Sequence, residues 1–140
     1  MAELKSLVIP ASAYAAMRDE VVRWSPEEAC GMAAGKPGEI SQVIPVANRL
    51  HSPVRFEMDP LEQLRGFQAI DAADLELIAI YHSHPQGPAH PSVTDIAEFA
   101  YPGVVYLIWA HSPGDDPGSW SVRGFDLDTS PFREVPMIIR

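Results

Sequence analysis

The chain has 140 residues, 46% of them hydrophobic, which suits one domain with a proper core near the commonest domain size. Ten Lys and Arg stand against nineteen Asp and Glu, a net charge of -9, and the basic residues are scattered singly (Arg18, Arg23, Arg65), which argues against nucleic acid as a direct partner. A lone cysteine, Cys30, excludes an internal disulfide, and no stretch approaches the roughly 18 apolar residues of a membrane span. The opening MAELKSLVIPASAYAAM lacks the basic-then-apolar pattern of an export signal, so a cytoplasmic location with no membrane partner is expected.

Leu7-Val8-Ile9 predicts a short strand stopped by Pro10. Ser12 is placed to cap a helix reaching Trp24, with Tyr14, Met17, Val21 and Trp24 at helical spacing. Pro26 ends that helix or opens a turn before Glu27 and Glu28. Residues 30–34 read as a buried strand closed by the turn Gly35-Lys36-Pro37-Gly38, followed by strands over 40–47 and 54–58. Asp59-Pro60 is a helix start, Asp as cap and Pro at the first position, and the helix should reach about Ala73 on a buried stripe of Leu61, Leu64, Phe67, Ile70 and Ala73.

Residues 75–82 form the expected central strand, then come a Pro- and Gly-rich loop and a short helix over 93–100. The apolar run 104–110 predicts a strand covered on both faces, and 120–126 and 134–139 two closing strands. Without repeats, low-complexity tracts or linkers, residues 1–140 are expected to form one α/β domain, a mixed β-sheet flanked by helices.

The chemistry concentrates in His82-Ser83-His84-Pro85 and Ser92-Val93-Thr94-Asp95. Strand residues two apart face the same way, about 6.6–7 Å apart along the chain, so His82 and His84 can turn both imidazoles onto one ion. Zinc accepts histidine nitrogen and aspartate oxygen at about 2.0–2.2 Å, which makes Asp95 a candidate third ligand, and three protein ligands leave one tetrahedral position for water. Two other readings stand beside this one. His-x-His before a turn is also an ordinary polar strand end, and Ser-x-x-Asp is a capping box whose role for Asp95 excludes good ligation. Ser25-Pro26-Glu27-Glu28 has a capping pattern too, but Gly31 and the apolar run leave such a helix about one turn. A strand beginning near Glu28 sets Glu28 and Cys30 on one face instead.

Glu28-Ala29-Cys30-Gly31, followed by HSHPQGPAHPSVTD, resembles the JAMM (MPN+) metallopeptidases in their minimal prokaryotic form. Residues 85–91 supply the seven-residue gap between H-[ST]-H and S-x-x-D, and the order of elements agrees along nearly the whole chain. The resemblance implies a cytidine-deaminase-like MPN/JAMM domain with Zn2+ as cofactor. It implies His82, His84 and Asp95 as metal ligands, Glu28 as general base and Ser92 as hydrogen-bond donor to the tetrahedral oxyanion. The substrate it implies is an amide or isopeptide bond at the Gly-Gly terminus of a ubiquitin-like or sulfur-carrier protein. Such a tail would pair its backbone with residues 54–58 or with the loop 85–91, the second being closer to the ligands.

Hydrolysis of small amides or short peptides is the alternative, because a zinc site does not choose its substrate. A metal-free MPN scaffold fits less well, since the ligand set is complete. The single cysteine leaves no material for the second zinc site of the elaborate eukaryotic members. Nucleoside deamination lacks its H-x-E and P-C-x-x-C elements, and a related DNA-repair-associated family is unsupported without a helical domain or basic face.

Cys30 reads as a buried small residue rather than a nucleophile. His90 reads as a solvated loop residue, His51 and His111 as surface, and Tyr106, Trp109 and Trp120 as packing. Residues 114–118 read as a solvent turn with too few ligands for calcium. Nothing in the sequence sets the oligomeric state.

Overall fold

Among the described residues, short strands are interspersed with three helices: β1 (Leu7–Ile9), α1 (Ala11–Trp24), β2 (Cys30–Lys36), β3 (Glu39–Val46), α2 (Pro60–Ala72), β4 (Glu76–His84), α3 (Val93–Glu98), β5 (Val105–Ala110), β6 (Ser121–Asp126), β7 (Arg133–Val135) and β8 (Met137–Ile139). The computed structural model describes residues 6–111, 114, 116 and 118–140, so part of the expected turn at 114–118 lies outside the described residues. The strands make one mixed sheet in the order β7-β6-β5-β4-β2-β3-β1-β8. β4 pairs parallel with β5 and antiparallel with β2, which places the histidine strand in the middle of the sheet.

The two edge strands are nearly contiguous in sequence, separated by Pro136 alone. One residue spans only about 7 Å between its neighbours, so the sheet curls until its edges approach. The single strand expected over 134–139 is therefore two. Proline has no N–H for a ladder, and here its carbonyl accepts from Leu7 N at 2.9 Å while the chain crosses from one edge to the other.

Each face of the sheet carries its own apolar layer. Leu7, Ile9, Tyr81, Leu107 and Trp109 pack with Met17 and Val21 of α1 on one side. Met32, Val46, Ile80, Ile108 and Phe125 pack with Ile70 of α2 on the other. All six residues of β5 are buried, as its uninterrupted apolar run predicts. Gly31 serves the first layer, since a Cβ there would lie 2.4 Å from the Tyr81 ring.

Several local expectations are corrected. α1 starts at Ala11 directly after Pro10, so Ser12 sits inside the first turn and Pro10 holds the capping position with no side-chain hydrogen bond. Trp24 is 37% exposed, its indole N–H donating to Glu20 rather than packing in the core. Gly35 and Lys36 belong to β2, and only Pro37-Gly38 turn the chain. Asp59 caps α2 as expected, its carboxylate accepting from Glu62 N at 3.0 Å. The inward stripe of α2 is Gln63, Gly66, Phe67 and Ile70, while Leu61 and Leu64 are exposed. Gly66 decides this: a Cβ there would fall 2.1 Å from Met32 Cε, so the contact line runs through the position without a side chain. Residues 54–58 form no strand: their one β-bridge is Met58 to Asn48, and hydrogen bonds to the Asn48 side chain and to Arg49 N hold the rest.

Candidate metal centre

β4 delivers His82 and His84 to one face because residues two apart share a side of the pleat. Their Nε2 atoms lie 3.1 Å apart. Asp95, in the first turn of α3, presents Oδ1 3.2 Å from His82 Nε2 and Oδ2 3.1 Å from His84 Nε2. His84 Nδ1 donates to Pro88 O at 2.8 Å, so in the neutral ring Nε2 keeps its lone pair and aims it at the other two groups. Phe56 stacks on His82 with 4.5 Å between ring centroids.

Glu28 arrives from the neighbouring segment. Cys30 opposes His82 in the β2–β4 ladder, and the Ser83 hydroxyl accepts from Ala29 N at 2.8 Å, binding the stretch before β2 to the histidine strand. Glu28 is 4% exposed and its Oε1 makes no hydrogen bond. Glu28, His82 and His84 each offer a ligand atom within 4.8 Å of the others. Glu27 points the other way, its carboxylate 2.8 Å from His51 Nδ1 at the surface. Strand parity thus separates the two glutamates as expected, although β2 itself begins at Cys30.

Two overlapping sets of three therefore share the histidine pair, one completed by Asp95 and one by Glu28. Charge distinguishes them. Burial opposes ionisation of Asp95, but hydrogen bonds from His82, His84 and the Ser92 amide outweigh it and hold the carboxyl well below the usual range. Burial pushes Glu28 up to about 8. Full burial lowers His82, favouring its neutral form. Burial alone would lower His84 too, but the bonds to Asp95 and Pro88 prevail and raise it. Two imidazole nitrogens and an ionised carboxylate match the donor chemistry of zinc and related divalent ions.

The capping box at Ser92 and Asp95 is present: Ser92 Oγ accepts from Asp95 N at 3.0 Å, and Asp95 Oδ2 accepts from Ser92 N at 2.9 Å. The cap does not turn the carboxylate away from the histidines: the Asp95 Oδ2 that accepts from Ser92 N also lies 3.1 Å from His84 Nε2. His90 is exposed as expected. Cys30 is buried, with its thiol pushed up to about 12 by desolvation, which suits an inert packing residue.

A cavity of about 250 Å3 opens onto His82 and Asp95, walled by Phe56, Met58, Phe99 and Tyr101, with Arg55 and Glu98 bridged at 2.8 Å. The loop 85–91, expected to border the substrate, contributes none of the lining. Its part is to supply the Pro88 carbonyl to His84. Sequence reading missed Pro88, Phe56 and Asn48: backbone carbonyls carry no signature, and Phe56 was absorbed into a strand pattern.

The family model for prokaryotic homologs of the JAB domain matches residues 10–123. The chain belongs to this family. The "Probable TtuB-protein conjugate cleaving protease" of Thermus thermophilus is 36% identical over 134 residues, covering 95% of this chain and 82% of that protein. The "CysO-cysteine peptidase" of Mycobacterium tuberculosis is 33% identical over 133 residues, covering 94% of this chain and 89% of that one. A solution structure of a protein from Desulfitobacterium hafniense superposes with a TM-score of 0.83 at 27% identity, over 96% of this chain and 92% of the other. The fold is thus that of a JAB/MPN domain, and the chain is a JAMM-type hydrolase of the metallopeptidase class.

Proposed function

We propose that this JAB-domain protein is a zinc-dependent isopeptidase acting at the Gly-Gly terminus of a ubiquitin-like or sulfur-carrier protein. The observation that carries the reading is the convergence of His82 Nε2, His84 Nε2 and the Asp95 carboxylate within 3.2 Å of one another, beside a buried Glu28 with an unpaired oxygen. His82, His84 and Asp95 are the ligands in this reading. Asp95 is preferred to Glu28 because its two carboxylate oxygens lie 3.2 and 3.1 Å from the Nε2 atoms of His82 and His84.

Zinc held there would act as a Lewis acid and lower the pKa of a water to about 7. Glu28 takes a proton from the attacking water and hands it to the departing amine as the C–N bond breaks, which raises the rate by about 10²–10⁴. Its raised affinity for a proton suits both halves of that transfer. Ser92 Oγ accepts from Asp95 N, leaving its own hydrogen free to donate to the oxygen of the tetrahedral carbon. Phe56, Met58, Phe99 and Tyr101 give the cavity beside His82 and Asp95 largely apolar walls.

The substrate class rests on the relatives, one named for cleaving TtuB-protein conjugates and one as a CysO-cysteine peptidase. The cavity adds a physical reason. Between the bonded Arg55 carbonyl and Glu57 amide, the Phe56 N–H and carbonyl make no hydrogen bond among the described residues, so a tail without side chains can lie against them. This replaces the loop 85–91 as the edge. We place the enzyme in the cytoplasm, where an unpaired cysteine such as Cys30 is ordinary, and treat residues 1–140 as one domain because both apolar layers share one sheet.

The test is cleavage by zinc-loaded protein of carriers ending in Gly-Gly-Cys or Gly-Gly-Lys. Turnover of these, with the Ala-Ala versions cut far more slowly, supports the reading. Zinc-loaded protein that ignores every conjugate yet cuts short unrelated peptides would replace it with general peptide hydrolysis.

A further inference from the structure

Asn48 follows β3 by two residues and is 8% exposed. An asparagine side chain has two N–H donors and an oxygen that accepts twice, and all four capacities are used here. Nδ2 donates to Glu28 O at 3.0 Å and to Arg55 O at 3.1 Å. Oδ1 accepts from Leu50 N and from Glu57 N, each at 3.1 Å. Two carbonyls face one end of the amide and two amides face the other, so no other side chain of this size satisfies the set.

The groups it joins belong to the two halves of the site. Glu28 precedes β2 and lies outside the sheet ladder, and its Oε1 makes no hydrogen bond, so its carboxylate is placed by its backbone. That backbone is held by Glu28 N donating to Ser52 O at 2.8 Å and by Glu28 O accepting from Asn48. Arg55 O and Glu57 N flank Phe56, whose ring stacks on His82. We infer that Asn48 is a positioning residue for the hydrolysis, locking the backbone of Glu28 and the cavity wall around Phe56 into one unit. The inference rests on the reading of Glu28 as general base.

Asn48→Asp keeps an oxygen for Leu50 N and Glu57 N but loses both donors and sets a carboxylate oxygen against two carbonyls. With zinc-loaded enzyme and a carrier ending in Gly-Gly-Lys, kcat should fall at least about tenfold while KM changes less than about threefold and zinc stays at one per chain. Asn48→Ala, which loses all four bonds, should lower kcat and raise KM together, and it serves if the aspartate variant does not fold. Arg49→Ala removes an exposed ion pair to Glu57 in the same segment without touching Glu28, and should leave kcat within about twofold. A folded, zinc-loaded Asn48 variant whose kcat stays within about twofold of the original overturns the proposal.

Native-state hydrogen exchange on the unaltered protein gives a readout without substrate. The amides of Glu28, Leu50 and Glu57 should exchange through one common opening, and independent openings also overturn the proposal. If no conjugate is cut at all, the hydrolase reading fails, while the exchange result still decides whether the segments that Asn48 joins open as one unit.

Discussion

Ser92 and Asp95 hold each other reciprocally, backbone N–H to side-chain oxygen in both directions at 3.0 and 2.9 Å, while the same Asp95 oxygen lies 3.1 Å from His84 Nε2. The cap that starts α3 therefore also holds the Asp95 carboxylate against the histidine pair. Ser92→Ala removes the hydroxyl that caps Asp95 N and that is proposed to donate to the oxyanion, while the Ser92 backbone N–H still holds the Asp95 carboxylate. Loss of a cap costs about 1 kcal/mol of stability, and loss of an oxyanion donor costs about 10²–10³ in kcat. Urea denaturation and steady-state kinetics on one preparation separate them. A less stable but fully active variant would leave only the cap.

Metal content gives the second prediction. Zinc-reconstituted protein should hold about one ion per chain, His84→Ala should lose it, and His90→Ala should keep it, by elemental analysis. The pH dependence follows from His84, whose affinity for a proton is raised by Asp95 and Pro88 despite burial. A protonated His84 competes with the ion for the Asp95 carboxylate. Zinc affinity measured by chelator competition should therefore weaken as the pH falls through the raised His84 value, and a pH-independent affinity would contradict the ligand assignment.

The two glutamates should separate cleanly. Glu28→Gln keeps the histidines and Asp95, so zinc should remain while turnover falls by about 10²–10⁴; Glu27→Gln, at the surface pair with His51, should change little. Equal losses at the two positions would sink the assignment.

The metal-free chain supplies a pH test of the same residue. Burial raises Glu28 from 4.5 to about 8, so the unfolded chain ionises first. The stability associated with this group is full below about pH 4.5 and is lost as the pH rises through about 8. Glu28→Gln cannot ionise. In chelator, it should therefore melt above the original protein at pH 8, with that advantage absent at pH 4. A variant without a gain at pH 8 would show that the buried carboxyl finds compensation elsewhere.

The sequence alone determined the elements whose physics is local. The β5 run is apolar throughout because it is covered on both faces, Asp59-Pro60 starts α2 because cap and first-turn chemistry are written in adjacent residues, and His82 and His84 share a face because the strand period is two. The spacing of Glu28, His82, His84, Ser92 and Asp95 was also legible, since side-chain type and interval carry the chemistry. Tertiary structure alone decided what depends on contacts between distant segments. The buried stripe of α2 turned on Gly66 meeting Met32, the apparent last strand split across opposite edges of a curled sheet at Pro136, and residues 54–58 became a cavity wall tied to Asn48. The same holds for the Pro88 carbonyl that aims His84 and the amide that anchors Glu28. Backbone carbonyls are chemically identical along a chain, and only the fold decides which of them a buried imidazole or amide will meet.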